Sequence, residues 1–184
     1  QQACEETRRW QARFASARDI FIAINLSARE FQRPNLVEYV SQVVNDCGLS
    51  ADMIRLEISE SILVDDPLTA LDKLRKLKER GVRLAINDFG SGYSSLSYLT
   101  RVAFDTLKID RQFVSGPGGI TDNLSIVRAV TSLAHALGMQ VTAEGIESEE
   151  HLIRVRAAGC DAGQGYLFSD VLDAAGVEAL LSSS

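Results

Sequence analysis

The sequence is poor in the residues that build most thiol and imidazole sites. Its three cysteines, Cys4, Cys47 and Cys160, are far apart and odd in number. No Cys-x-x-Cys pair and no cysteine–histidine zinc spacing occurs, which excludes a zinc finger or a disulfide framework. Reduced, largely buried thiols are expected. The two histidines, His135 and His151, fall in helical segments without a partner histidine, so neither a Ser-His-Asp nor a Cys-His set is on offer. Proline is scarce, and no Pro/Ser-rich linker or low-complexity tract divides residues 1–184, which read as a single domain. No apolar run approaches the roughly 18 residues that span a bilayer. The opening QQACEETRRW reads as helix and not as a signal peptide, and a cytoplasmic location is expected. The formal net charge of −6 argues against a nucleic-acid polymer as partner. It leaves small anionic ligands open, because a site can be locally positive or hold metal.

What is present is alternation. Short runs rich in Val, Ile, Leu or Phe at 20–25, 53–58, 82–87, 104–109, 139–144 and, more weakly, 163–168 read as strands. Amphipathic helices separate them. Ser27 and Glu30 fit a capping box. Asp66-Pro67 reads as N-cap and first helical residue, followed by an apolar stripe of Leu68, Leu71, Leu74 and Leu77 that Gly81 ends. A second helix is expected from Asp122, with Ile126, Val127, Val130, Leu133 and Leu137 inward and Gly138 as its stop. Ser148 opens a third, ended by Gly159. The segment 115–123 reads as a surface loop.

Strand–helix repetition implies an α/β fold with a parallel sheet and right-handed crossovers. About six βα units are visible, whereas a closed eight-unit barrel needs roughly 250 residues. The chain is thus about two units short at its N-terminus, and an open sheet is the alternative to a barrel. Six units alone are expected to leave apolar strand faces uncovered, so a dimer or further N-terminal residues are expected.

Function in α/β folds gathers where strands end. Here those positions are Asn25, Glu57, Asn87-Asp88, Lys108 with Asp110, Glu144 and Gln164. Any one alone is an ordinary helix cap or loop start. Six successive units each supplying an amide, carboxylate or amine favour a barrel with a site at its mouth. Oxygen donors of this kind suit Mg2+ or Mn2+, and a lysine among carboxylates can hold a phosphate or a nucleophilic water. Two oxygen-ligated metals recur in phosphodiester hydrolysis, so the residues read as metal-assisted phosphoryl chemistry.

The blocks INLSAREF, RLEISES, NDFGSGYSSL, LKIDRQFV, TAEGIES and GCDAGQGYLFS resemble, in order, those of the EAL domain, a bacterial cyclic di-GMP phosphodiesterase family. The resemblance runs from about residue 20 to 170. It implies a TIM-like (β/α) barrel of the EAL type, here without its first two strands, the first of which runs antiparallel in the family. It implies hydrolysis of cyclic di-GMP to the linear dinucleotide between two Mg2+ or Mn2+ ions. By motif, Asn25 and Glu57 would ligate the first metal, position 87 would bridge, and Asp88 and Glu144 would serve the second. Lys108 would orient or activate the water, supported by Asp110, and Gln164 would face a guanine or the nearby wall. Glu60 would anchor the 88–96 loop, with Gly90 and Gly92, which couples the site to a homodimer surface, and Glu147 would support the neighbouring loop. Fusion to sensor or diguanylate cyclase-like domains is common in the family.

Three departures stand out. The Glu-Ala-Leu strand that names the family is absent, and with it a metal-ligating glutamate and a phosphate-binding arginine. Asn87 stands where the family has its bridging aspartate, and an amide oxygen brings no charge and bridges poorly. Val171 stands where a proline is expected. The expectation is an EAL-type chain with little or no turnover. A cyclic di-GMP receptor and a protein-interaction module are the alternatives.

Overall fold

The computed structural model describes residues 1–89, 99–115 and 120–183, with Val64, Asp65, Asp88, Ile120, Thr121, Asp122 and Ser183 described in their backbone alone. Its six strands are β1 (Ile22–Leu26), β2 (Ile54–Ser59), β3 (Arg83–Phe89), β4 (Thr106–Ile109), β5 (Gln140–Ala143) and β6 (Ala162–Gly163). They pair in sequence order, every neighbour parallel, into one sheet with helices packed on it, a six-strand half-barrel. The antiparallel first strand implied by the family resemblance has no counterpart among the described strands.

The helices are α1 (Gln2–Arg13), α2 (Ala28–Phe31), α3 (Leu36–Cys47), α4 (Ile62–Asp65), α5 (Pro67–Glu79), α6 (Arg111–Ser115), α7 (Ile120–Ala136), α8 (Glu149–Ala157) and α9 (Ala174–Ser183). Local chemistry sets their ends. Ser27 and Glu30 exchange both capping-box hydrogen bonds at the start of α2. The Asp66 carboxylate accepts the Thr69 N–H ahead of Pro67, and Ser148 accepts the His151 N–H at the start of α8. Gly81 and Gly138 leave α5 and α7 at φ of 84° and 77°, the left-handed geometry that stops a helix.

The main core cluster lies between sheet and helices, with Ile54, Ile58, Leu74, Leu77, Leu84, Leu107 and Val141 buried, and a smaller one gathers Val114, Ala143, Ile146 and Val155. All four β4 residues are buried, as expected of a central parallel strand. Cys4 is buried in the main cluster, with Cys47 and Cys160 half-buried, and burial pushes the Cys4 and Cys160 thiols up.

Several local expectations need correction. Leu68 is 77% exposed because the buried stripe of α5 runs through Ala70, Leu74 and Leu77. Ile126 is likewise exposed, and Val127 takes the buried position of α7. That helix starts at Ile120, so Asp122 lies inside it. The sixth strand ends at Gly163, and the chain then turns, with Phe168 N–H donating to Gly165 O at 3.1 Å. The uncovered face carries polar side chains as well as apolar surface. The concave side carries Arg55, Glu57, Lys108, Gln140 and Thr142 around a cavity of about 350 Å³.

Candidate functional site

Period-two alternation along the strands decides which side chains meet on the concave face. Asn25 pairs with Glu57 across β1–β2, and Ser59 with Asn87 across β2–β3. Lys108 and Thr142 face each other across β4–β5. At their C-terminal ends these strands bring together Asn25, Glu57, Asn87, Lys108 and Glu144.

Lys108 is the hub. Its Nζ donates to both oxygens of Glu57 at 2.8 Å and lies 2.6 Å from Glu144 Oε1. Lys108 and Glu57 are 5% and 7% exposed, so the pair is screened from water. Burial works against the ammonium charge. Hydrogen bonds and charge from Glu144 and Glu57 outweigh it, and the net shift of Lys108 is upward. Glu57 also accepts from Asn87, whose Nδ2 donates to Glu57 Oε2 and to Asn25 Oδ1, each at 3.1 Å. The Asn87 Oδ1 is buried and has no hydrogen-bond partner among the described residues.

That orphaned oxygen bears on whether a metal fits. Turning the Asn87 amide over exchanges its donor for its acceptor and leaves three oxygens, from Asn25, Glu57 and Asn87, around one point. This is a donor set for a hard cation. It carries one negative charge, and Lys108 already neutralises part of it. Among the described residues no group of three or more His, Cys, Asp or Glu side chains could hold a metal, so a site built from the described side chains leans on the two amides. The residues fit a weakly held divalent cation of the kind that prefers oxygen donors.

The other predicted residues fall nearby in different roles. Asp88 follows Asn87 in β3. Asp110 stands at the same end of the sheet, but its Oδ1 accepts the Gln112 N–H at 2.7 Å, closing a turn of backbone. Gln164 lines both the 350 Å³ cavity and a second one of about 400 Å³. The second lies among Arg111, Glu144, Tyr166 and Val171, with Glu147 at its edge. Tyr166 and Val171 are 64% and 87% exposed. Glu60 is buried, and neither of its carboxylate oxygens has a partner among the described residues. Gly90 and Gly92, with most of the 88–96 loop, lie outside the described residues.

Two residues on these surfaces escaped the motif reading. The Arg55 guanidinium lies 3.9 Å from the Phe21 ring centroid at the base of the cavity. Arg111 packs against Gly145, whose φ of 72° turns the chain immediately after Glu144. Alternation alone flags Arg55, which is two residues from Glu57 on the same strand face.

Fold and site together define an α/β half-barrel with a buried lysine–carboxylate centre at its strand ends. The chain belongs to the EAL domain family, whose pattern matches residues 1–170. It superposes on the EAL domain of Mycobacterium smegmatis DcpA with a TM-score of 0.91 at 40% identity, covering 99% of this chain and 81% of that one. Klebsiella pneumoniae BlrP1, in a manganese/cy-diGMP complex, matches with a TM-score of 0.81 at 30% identity, covering 91% and 42%. The cyclic di-GMP phosphodiesterase NbdA of Pseudomonas aeruginosa is 36% identical over 179 residues, 97% of this chain and 23% of that protein. The chain thus spans about a quarter of that relative's length. No helix among the described residues is long and apolar enough to cross a membrane.

Proposed function

We propose that this chain is a cyclic di-GMP-handling EAL module whose phosphodiester hydrolysis is strongly impaired. The observation that carries the reading is the Asn87 amide, hydrogen-bonded to Asn25 and Glu57 where the family resemblance implies a bridging aspartate. Hydrolysis adds water to one phosphorus and breaks one P–O bond to ribose, the proton going to the leaving oxygen. Mg2+ or Mn2+, when bound, would polarise the phosphate and lower the pKa of the water. Asn25, Glu57 and Asn87 would hold one ion, with Asp88 and Glu144 serving a second. The Lys108 ammonium would orient the water or a phosphate oxygen, because Glu57 and Glu144 fix its position. Gln164 would meet a guanine edge from the wall between the two cavities, with Asp110, Glu60 and Glu147 supporting the loops. Losing the bridging carboxylate removes several kcal/mol of transition-state stabilisation, which is a loss of several orders of magnitude at about 1.4 kcal/mol per tenfold.

A receptor is the second reading, favoured by how completely Lys108 and Asn87 satisfy Glu57 without a metal. In the parent protein the module would act in the cytoplasm, as a homodimer paired through the 88–96 loop and fused to sensor or diguanylate cyclase-like domains. Incubation with cyclic di-GMP and Mg2+ or Mn2+, with chromatography of the product, tests the reading. Binding with negligible linear dinucleotide is expected, and turnover at an ordinary enzymatic rate would overturn it.

A further inference from the structure

Two aspartates at the N-terminal ends of their strands make the same contacts, and Asp161 also lines the cavity of about 350 Å³ that Glu57, Lys108 and Gln164 share. Asp105 precedes β4. Its N–H donates to Leu84 O at 2.9 Å and its Oδ2 accepts the Leu84 N–H at 2.7 Å, so it brackets both backbone groups of one β3 residue. Asp161 precedes β6 and treats Val141 of β5 in the same way, at 2.9 and 2.7 Å. Each carboxylate also holds a basic side chain from the last turn of the helix that feeds the bracketed strand. Lys78 Nζ of α5 lies 2.7 Å from both Asp105 oxygens, and His135 Nε2 of α7 lies 2.9 Å from Asp161 Oδ2.

The spacing repeats as well. Lys78-x-x-Gly81-x-x-Leu84 matches His135-x-x-Gly138-x-x-Val141 in spacing, with a basic residue, a glycine and an aliphatic residue in turn. Three positions beyond Leu84 and Val141 come Asn87 and Glu144, and three beyond Asp105 and Asp161 come Lys108 and Gln164. The chain therefore carries one clasp-and-strand-pair unit twice, and each copy delivers two side chains to the site.

Register matters at both places, because a slip of one residue would turn the delivered side chain to the other face. The ladder between β5 and β6 has only two residue pairs, Thr142 with Ala162 and Ala143 with Gly163. The β3–β4 ladder shifts register between Ile86 and Phe89, just where it approaches Lys108. Neither ladder fixes its upper end unaided.

We propose that Asp105 and Asp161 are matched positioning residues, each locking the foot of its strand pair so that Lys108 and Gln164, about 10 Å further on at strand rise, reach the site at a fixed height. The nucleotide part of the test rests on the cyclic di-GMP reading above; the structural part does not. The test is amide hydrogen exchange without nucleotide on Asp161→Ala, Asp161→Asn and Asp105→Ala, with cyclic di-GMP calorimetry alongside. Losing a charge-assisted hydrogen bond is expected to speed exchange at the Gln164 amide about tenfold in Asp161→Ala, while β2–β3 amides keep their wild-type rates. That amide donates to Ala143 O at 2.8 Å. Asp161→Asn keeps an acceptor for the Val141 N–H and should restore most of the protection and the affinity. Asp105→Ala should loosen β4 and leave β6 unchanged. Should Asp161→Ala not fold, His135→Ala carries the same readout with a change of about threefold. Unchanged exchange at Gln164, uniform acceleration across the sheet, or no rescue by asparagine would overturn the proposal. A wild-type protein that takes no cyclic di-GMP would end the nucleotide reading, and the exchange pattern would still decide the positioning role.

Discussion

The Asn87 amide nitrogen lies 3.1 Å from Glu57 Oε2, so a neutral donor occupies the place where a second carboxylate would confront the first. Asn87→Asp reverses that relation. Without metal, the new charge faces Glu57 and loses a hydrogen bond, a cost of about 1–3 kcal/mol, or roughly 2–4 °C of Tm per kcal/mol at this size. With Mn2+ the same carboxylate becomes a ligand. Thermal melting is expected to show a variant less stable than wild type in chelator and more strongly stabilised by Mn2+. A variant indifferent to Mn2+ would remove position 87 from any metal site.

Lys108 holds two carboxylates, the buried Glu57 and the partly exposed Glu144. Lys108→Met leaves both without their counter-charge and should cost about 3–5 kcal/mol, the usual penalty for breaking a buried ion pair from one side. Adding Glu57→Gln removes one orphaned charge, so the double variant should be destabilised by less than the sum of the singles. Urea unfolding of the four proteins measures the coupling, and strict additivity would show that the pair acts independently.

The same lysine predicts a high-pH signature. Burial pulls its ammonium down, but Glu144 and Glu57 raise it above the ordinary 10.5. A raised folded value stabilises fully below the unfolded one and is lost as pH rises through the folded one. Stability should therefore decline above about pH 10.5 more steeply in wild type than in Lys108→Arg, since a guanidinium keeps its charge there. Urea midpoints taken from about pH 9 upward on both proteins give the comparison; parallel curves would contradict it.

The site was more legible than the fold's details, for a physical reason. Asn25, Glu57, Lys108 and Glu144 each interrupt or end a β-branched run, so their polarity shows against an apolar background. Leu68 and Ile126 gave no such signal, because a helix face is one stripe among several and its neighbours Ala70 and Val127 could fill it equally well. Asp105 and Asp161 carry no local signal in the sequence. Their role depends on partners about twenty positions back, at Leu84 and Val141. The Asn87–Glu57 bond joins residues thirty apart and needed the sheet register to appear.

Gly145 and Gly138 separate backbone strain from crowding. Both have positive φ, 72° and 77°, so alanine at either costs about 1–2 kcal/mol for the left-handed conformation. Around Gly138 nothing lies within 4 Å of an added Cβ, whereas at Gly145 it would collide with the Arg111 side chain. Gly138→Ala should therefore pay only for strain. Gly145→Ala should be worse by a further 1–3 kcal/mol, roughly the cost of overpacking. It should also displace Arg111 and the turn after Glu144, weakening cyclic di-GMP binding, which Gly138→Ala should leave alone. Urea unfolding and nucleotide calorimetry on both variants check this. Equal stability losses would mean that the α6 backbone yields at Arg111 without cost, and that the close approach of α6 to the β5 exit does not shape the site.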